Sequence, residues 1–171
     1  MFLVRVLSSI VALLFLPFSG AFAYPEGTIL PLPEFVKAKR FQLPRTELKE
    51  DTKLVVFYYS ASWCAPCKKV GEALSQSYEA ITSNAKGLEF VTYSVDLTSR
   101  ARADYLRDTA YEWPAISPQI IDKEPWLTTI PGGTPQFQAF RMQDRTLVAL
   151  TDPDDANTVL QVALRYLSEN P

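Results

Sequence analysis

The stretch Trp63-Cys64-Ala65-Pro66-Cys67 holds both cysteines of the chain and lies shortly after the apolar run Leu54 to Tyr59. Apolar residues recur at helical spacing after it, which predicts that the two cysteines lie where a strand gives way to a helix. The unpaired N–H groups and partial positive charge of a helix N-terminus lower the pKa of a thiol placed there. We therefore predict a thiol–disulfide exchange site in which Cys64 is the attacking sulfur.

The alternative for the two cysteines is a structural bridge, but a bridge that closes so short a loop gains little loop entropy. A zinc ribbon needs four ligands, whereas the chain has two cysteines and no histidine. The missing histidines also exclude a serine–histidine triad, imidazole ligation of copper or haem, and an imidazole pH switch. We expect no metal and no cofactor, and chemistry that uses sulfur, carboxylate or amine groups.

The N-terminus has the pattern of a secretory signal peptide. Arg5 precedes the apolar stretch Val6 to Phe18, and Ala21-Phe22-Ala23 has the small residues that signal peptidase requires. The alternative is an uncleaved membrane anchor, but Val6 to Phe18 is short for a bilayer span, which needs about 20 residues. We expect cleavage near Ala23/Tyr24 and export to a periplasm, where disulfides persist.

The composition is typical of one globular domain, because the chain has 171 residues, 47% of them hydrophobic, and no low-complexity tract. We divide it into a signal peptide over residues 1–23, an extended lead-in over residues 24–50 and a domain over residues 51–171. The lead-in is rich in proline and has a short helical pattern around Glu34 to Lys39. Loss of Arg5 with the signal peptide shifts the formal net charge from -2 to -3, and this mild acidity argues against nucleic-acid binding.

Over residues 51–171 the apolar pattern alternates between strands and helices. Lys53 to Tyr59 and Leu88 to Val95 are predicted as strands on either side of a helix, and Arg100 to Ala110 as a second helix. Prolines forbid long elements between Trp113 and Pro131. The remaining predicted elements are a hairpin, Phe137 to Met142 with Thr146 to Leu150, and a last helix with Asp152 as N-cap and Pro153 at its first position. The pattern predicts an α/β fold, with a central mixed sheet and helices on both faces.

A strand that runs into Trp63-Cys64-Ala65-Pro66-Cys67 at a helix start, with Thr134-Pro135 before a terminal hairpin, resembles the thioredoxin superfamily over about Leu54 to Leu167. Within that superfamily the chain is similar to the tryparedoxin and nucleoredoxin branch. The segments that carry this similarity are Tyr59 to Cys64 with Pro66-Cys67, Ser94-Val95-Asp96 and Trp113-Pro114-Ala115. Gly132-Gly133 before Thr134 departs from the usual pattern of the branch.

The resemblance implies a thioredoxin-like fold and roles for three further residues. Thr134 and Pro135 match the superfamily's cis-proline loop, which lies against the active-site disulfide and offers backbone groups to an incoming peptide. An ordinary trans turn is the alternative for this proline. Tyr58 stands where many thioredoxins carry a buried aspartate that helps to deprotonate the second cysteine. We expect Tyr58 to support the site, with an aromatic core residue as the alternative.

The predicted mechanism cycles Cys64 and Cys67 between a dithiol and a disulfide. The Cys64 thiolate attacks a disulfide of a protein or peptide client, and Cys67 then attacks Cys64 and releases the reduced client. Trp63 is expected to flank the sulfur, and Pro66 to fix Cys67 relative to Cys64 because its restricted φ suits the first helical turn. Ala65 and Pro66 place no charge between the cysteines, which favours a reducing potential of about −200 to −270 mV.

An exported reductant needs electrons from across the membrane, so we expect a membrane-bound thiol donor. We also expect the protein to be a monomer. Two other functions stay open. The same site would serve an oxidase or isomerase of exported proteins, and the fold would also serve as a binding module that presents the loop Gly132 to Gln136 and the stretch Trp113 to Trp126.

Overall fold

Strand β4 (Leu54–Ser60) lies at the centre of the sheet in the computed structural model, which describes residues 24–39, 41–128 and 133–170. All seven of its residues are buried, as expected for an apolar and aromatic run without alternation. The strand pairs in parallel with β5 (Leu88–Ser94) and in antiparallel fashion with β7 (Gln136–Gln143). The sheet is therefore mixed around one fully covered strand.

The other elements extend this sheet and cover it. The remaining strands are β1 (Ile29–Pro31), β2 (Phe35–Val36), β3 (Arg45–Thr46), β6 (Ala115–Ile116) and β8 (Thr146–Ala149), and the helices are α1 (Ala65–Asn84), α2 (Ser99–Thr109), α3 (Pro118–Ile121) and α4 (Ala156–Glu169). The strand order is β1-β8-β7-β4-β5-β6-β2-β3. The predicted α/β class with a central mixed sheet is confirmed.

Strands β4 and β5 end at the same edge of the sheet. Ser60 lies opposite Ser94, and the N–H of Val95 donates to the carbonyl of Ser60 at 2.9 Å. The segments that follow the two strands, residues 61–64 and 95–98, therefore leave the sheet side by side. The crevice outside the carboxyl ends of parallel strands is the usual place for a site in α/β sheets.

Helix α1 follows β4 and places one narrow stripe against the rest of the protein. Its buried residues are Cys67, Gly71 and Leu74, which share a face at spacings of four and three. Gly71 is required here because a Cβ at this position would lie 1.9 Å from the hydroxyl oxygen of Tyr111. The helix thus approaches the Tyr111 ring directly behind the second cysteine.

The lead-in joins the sheet at both edges. Strand β1 pairs with β8 at one edge, and β2 pairs with β6 and β3 at the other. The predicted short helix around Glu34 to Lys39 is wrong, because Phe35–Val36 is a strand and the carbonyl of Glu34 accepts a hydrogen bond from Ser117 at 2.9 Å. These strand pairs supply hydrogen-bond partners for backbone N–H and C=O groups that a single helical turn would have left unpaired.

Helix α4 begins three residues later than the sequence predicts. Its N-cap is Asp155, whose Oδ1 accepts hydrogen bonds from the N–H groups of Asn157 at 2.8 Å and Thr158 at 3.2 Å. The predicted cap at Asp152 is wrong because Asp154 forms a pair of backbone hydrogen bonds with Phe137, at 2.8 and 2.9 Å. This bridge holds the backbone out of the helix until Asp155.

Two expectations fall on residues outside the described ranges. They are the signal peptide over residues 1–23, with its cleavage near Ala23/Tyr24, and the contribution of Gly132 to the loop before Thr134. Over the ranges that are described, no helix combines the length and apolar character needed to span a bilayer.

Candidate active site

Cys64 lies at the N-cap of α1. The N–H of Cys67 donates to its Sγ at 3.2 Å, which is the hydrogen bond that a capping side chain accepts. Ala65 and Pro66 occupy the first two helical positions, where proline's missing N–H leaves no internal bond broken. The sulfur of Cys64 is therefore placed against the positive end of a 20-residue helix.

The two cysteines form a disulfide with their Cα atoms 5.2 Å apart. Cys67 is fully buried, whereas Cys64 keeps 4% of its surface exposed. Solvent and a substrate therefore reach Cys64 first, which fits the predicted order of attack.

Trp63 is 67% exposed, so its indole lies at the surface beside the first cysteine and does not pack in the core. Lys68 and Lys69 are exposed on the next turn of α1. One large aromatic side chain and two lysines are therefore exposed within five residues of Cys64 in the sequence.

Tyr58 is buried in β4 directly behind the second cysteine. Its hydroxyl donates a hydrogen bond to the backbone carbonyl of Cys67, and its ring stacks on Phe137 with centroids 4.9 Å apart. Burial raises the pKa of Tyr58 well above its usual range, so the phenol stays protonated at neutral pH. Tyr58 therefore holds the first turn of α1 in place, and it is a donor to the backbone and not a proton acceptor.

The Thr134–Pro135 peptide bond is cis. It immediately precedes β7, whose first residue, Gln136, lies opposite Tyr59 near the end of β4. This register places Thr134 and Pro135 at the edge of the sheet from which the cysteine loop departs. The predicted client-binding residues and the predicted catalytic residues thus lie at one edge.

Asp96 is a site residue to which the sequence analysis gave no role. Its carboxylate is buried and accepts the Ser62 N–H at 3.1 and 3.3 Å, the Ser62 hydroxyl at 2.6 Å and the Ser94 hydroxyl at 2.8 Å. A buried carboxylate is tolerated only when its oxygens are hydrogen-bonded, as these are. Asp96 therefore fixes the residue two positions before Cys64 to the end of β5.

A second missed feature is a group of buried hydroxyls beneath the disulfide. The hydroxyls of Ser60 and Tyr105 are hydrogen-bonded to each other. Burial also raises the pKa of Tyr105 and Tyr111. Neutral hydroxyl groups therefore occupy the region behind Cys67. No local sequence pattern predicts this group, because Ser60 is on β4 and Tyr105 is on α2.

Residues 51–123 match the family model described as Thioredoxin-like. This match includes both cysteines and covers less than half of the chain. A curated relative, Thioredoxin H2 of Arabidopsis thaliana, is 36% identical over 63 residues, which make up 37% of this chain and 44% of that protein. The chain thus spans less than half the length of this relative.

Solved structures show the same thioredoxin-like fold. The thioredoxin of Wuchereria bancrofti is 18% identical, with a TM-score of 0.53 over 82% of this chain and 97% of that one. The tryparedoxin of Trypanosoma brucei is 22% identical, with a TM-score of 0.53 over 83% and 89%. Tryparedoxin II of C. fasciculata is 23% identical, with a TM-score of 0.53 over 69% and 79%. The predicted thioredoxin-like fold is confirmed, and tryparedoxins are among the structures that share it.

Proposed function

We propose that this thioredoxin-like protein is an exported thiol–disulfide oxidoreductase that reduces disulfides of protein or peptide clients. The observation that carries the proposal is the position of Cys64. Its Sγ caps α1 and accepts a hydrogen bond from the Cys67 N–H, and Cys64 is the cysteine of the pair that is partly exposed. A sulfur in this position is stabilised as a thiolate by the helix N-terminus and is open to attack another sulfur.

The proposed cycle starts from the dithiol. The Cys64 thiolate attacks one sulfur of the client disulfide, which forms a mixed disulfide and releases the first client thiolate. The Cys67 thiolate then attacks the Sγ of Cys64, which re-forms the Cys64–Cys67 disulfide and releases the second client thiolate. Two electrons pass from the protein to the client, and the proton from Cys67 leaves to solvent or to the client thiolate.

Support for the reducing direction comes from the two residues between the cysteines. Ala65 and Pro66 offer the Cys64 thiolate neither a charge nor a side-chain donor, so the helix N-terminus is its main stabilisation. We place the reduction potential at about −200 to −270 mV, in the range of glutaredoxins and thioredoxins. A reduction potential of about −120 mV, as in a strong oxidase, would exclude the reductase assignment.

Export is part of the proposal and is supported by the signal-peptide pattern of residues 1–23. Cleavage near Ala23/Tyr24 would give a mature chain in a periplasm, where a membrane-bound thiol donor regenerates the dithiol. We propose that this chain acts as a monomer. Mass determination of the protein recovered from the exported fraction tests the cleavage, and sedimentation of the same sample tests the monomer.

Substitution of each cysteine in turn tests the proposed order of attack. Cys67→Ser should accumulate a mixed disulfide with clients, because Cys64 attacks but is not released. The matched variant Cys64→Ser should accumulate none. Equal trapping by both variants, or trapping by Cys64→Ser alone, would contradict the assignment of Cys64 as the nucleophile.

The binding-module alternative loses support at the tryptophan-rich stretch. Trp113 is buried, stacks on Tyr111 with centroids 4.5 Å apart and donates its Nε1–H to Thr92 at 2.8 Å. This residue is part of the core and is not presented to a partner. An oxidase or isomerase uses the same cysteine geometry, and the measured potential separates those functions from a reductase.

A further inference from the structure

Two large apolar side chains are exposed on the two segments that leave the sheet after β4 and β5. Trp63 is 67% exposed and precedes Cys64, and Leu97 is 89% exposed and follows β5. Exposed apolar side chains that cluster at a site mark contact surfaces, whereas isolated ones need no explanation. Two such residues form one contact surface only if the fold holds their segments next to each other.

Hydrogen bonds join the two segments that carry Trp63 and Leu97. Ser62, which precedes Trp63, donates both its N–H and its hydroxyl to Asp96, which precedes Leu97. The strands before these segments end in register at Ser60 and Ser94. Asp96 is buried and also accepts a hydrogen bond from the Ser94 hydroxyl, so Trp63 and Leu97 follow residues that are joined to each other at the same sheet edge.

The charges within the two segments that carry this pair have one sign. Residues 61–71 and 97–103 contain no aspartate or glutamate, and Lys68, Lys69 and Arg100 are exposed within them. Outside these segments, Glu72 is exposed on α1, whereas Asp104 contacts Arg100 and Arg107, and Asp122 binds Arg102. The apolar pair thus has a cationic rim, which is complementary to an acidic segment.

We propose that Trp63 and Leu97 form an apolar platform that receives the side chain next to the client's disulfide cysteine, and that Leu97 determines this preference. The inference rests on the proposed reductase function and names its clients: extended segments with an apolar residue beside the cysteine and acidic residues flanking it. Asp96 is the positioning residue of the platform, because it joins the two segments that carry it. The platform is continuous with Cys64, so a client bound there presents its sulfur to the nucleophile.

The test uses peptides whose single cysteine is joined by a disulfide to 5-thio-2-nitrobenzoate. Attack by the reduced protein releases this coloured thiolate, which is the better leaving group. One peptide has Leu beside its cysteine and the matched peptide has Ser. We expect the wild-type protein to prefer the Leu peptide by about five- to tenfold in kcat/KM, a contact of the size of one partly buried apolar side chain.

Leu97→Ser should reduce this ratio to near one, mainly through a higher KM for the Leu peptide, because the contact exists equally in the bound and transition states. The matched control is Ile29→Ser, since Ile29 is 68% exposed on β1 at the opposite region of the sheet. The control should keep the wild-type ratio. A Leu97→Ser protein that keeps the preference, or an Ile29→Ser protein that loses it equally, overturns the inference.

The cationic rim has its own test with the same reagents. A Leu peptide with flanking glutamates should react faster than one with flanking lysines, and the difference should shrink as salt is added. Equal rates for both peptides at low salt would overturn the acidic part of the inference. A reduced protein that releases the thiolate from none of the peptides overturns the proposed function itself, whereas release without any side-chain preference overturns the platform alone.

Discussion

The N–H of Cys67 donates a hydrogen bond to the Sγ of Cys64 at 3.2 Å. In the proposed cycle, the donor belongs to the residue that resolves the mixed disulfide, and the acceptor is the sulfur that starts the reaction. The same three-residue spacing therefore serves both steps of the cycle, since it provides a donor for the thiolate and holds the second thiol within reach.

In the reduced protein, the pKa of the Cys64 thiol should lie below the usual value of about 8.5, because the helix N-terminus stabilises the thiolate. The rate of alkylation, measured against pH, should therefore rise with a midpoint below that value and then level off. Cys64→Ser should remove this fast reaction, and Cys67→Ser should retain it. A midpoint at or above about 8.5 would contradict the prediction.

Tyr58→Phe should destabilise the fold without changing the pH profile of disulfide reduction. The variant keeps the ring on Phe137 but removes the hydrogen bond to the Cys67 carbonyl, which costs about 0.5–1.5 kcal/mol because that carbonyl keeps its helical partner, the Gly71 N–H. Because burial raises the pKa of Tyr58, its hydroxyl does not titrate near neutral pH and adds no inflection there.

Urea unfolding of the oxidised proteins measures this change in stability, with Tyr166→Phe on α4 as the control. An inflection in the wild-type pH profile that disappears in Tyr58→Phe would show that the hydroxyl takes part in proton transfer, against the positioning role.

Asp96→Asn should weaken the preference for the Leu peptide by loosening the link between Trp63 and Leu97. If Asp96 acts through the platform, the effects of Asp96→Asn and Leu97→Ser on the Leu/Ser ratio should not add in the double variant. Asp108→Asn, on the exposed face of α2, is the matched control. A loss of stability with an unchanged ratio would assign Asp96 a purely structural role.

Gly71→Ala should destabilise the protein even though alanine is the better helix former. The helical preference favours alanine by about 0.8–1.0 kcal/mol. A Cβ at Gly71 would lie 1.9 Å from the Tyr111 hydroxyl oxygen and 2.5 Å from its ring, and such overpacking costs about 1–3 kcal/mol. In Gly133→Ala the nearest atom is 3.9 Å away, so this control should unfold at the wild-type urea concentration.

The start of α4 gives a prediction that depends on pH. Hydrogen bonds from Thr158 and Asn157 lower the pKa of Asp155, so its ionised form adds stability above the unfolded pKa, and this is lost as pH falls through the folded pKa. Asp155→Ala should therefore lower the melting temperature at neutral pH, and the difference from wild type should shrink in acid. Asp152→Ala should have the smaller effect, and the reverse order would contradict the assigned cap.

The sequence predicts those parts of the site that are local. The spacing of Cys64 and Cys67, the apolar run before them and the helical pattern after them are each contained in a few residues, and they specify the central strand and the helix start. The role of Asp96 was missed because its partner Ser62 lies 34 residues away, on another strand end. Which strands are neighbours is a property of the sheet, and a single sequence does not state it.

Long-range pairing also explains the two local errors. Asp152, Asp154 and Asp155 are all suitable N-caps by residue type, and the backbone bridge between Asp154 and Phe137 decides between them. The segment around Phe35 has a weak helical pattern, but its backbone finds partners in Ala115 and Ile116. In both cases a residue distant in sequence supplies hydrogen bonds that outweigh the local preference.

Both rims of the sheet are closed by one short stretch near the beginning of the chain, with β1 on one side and β2 and β3 on the other. Proteolytic clipping of this stretch would uncover the backbone N–H and C=O groups of β8 and β6 together, and such open strand edges template pairing with other chains. Damage there would therefore first appear as self-association of a molecule whose two sulfurs are still intact.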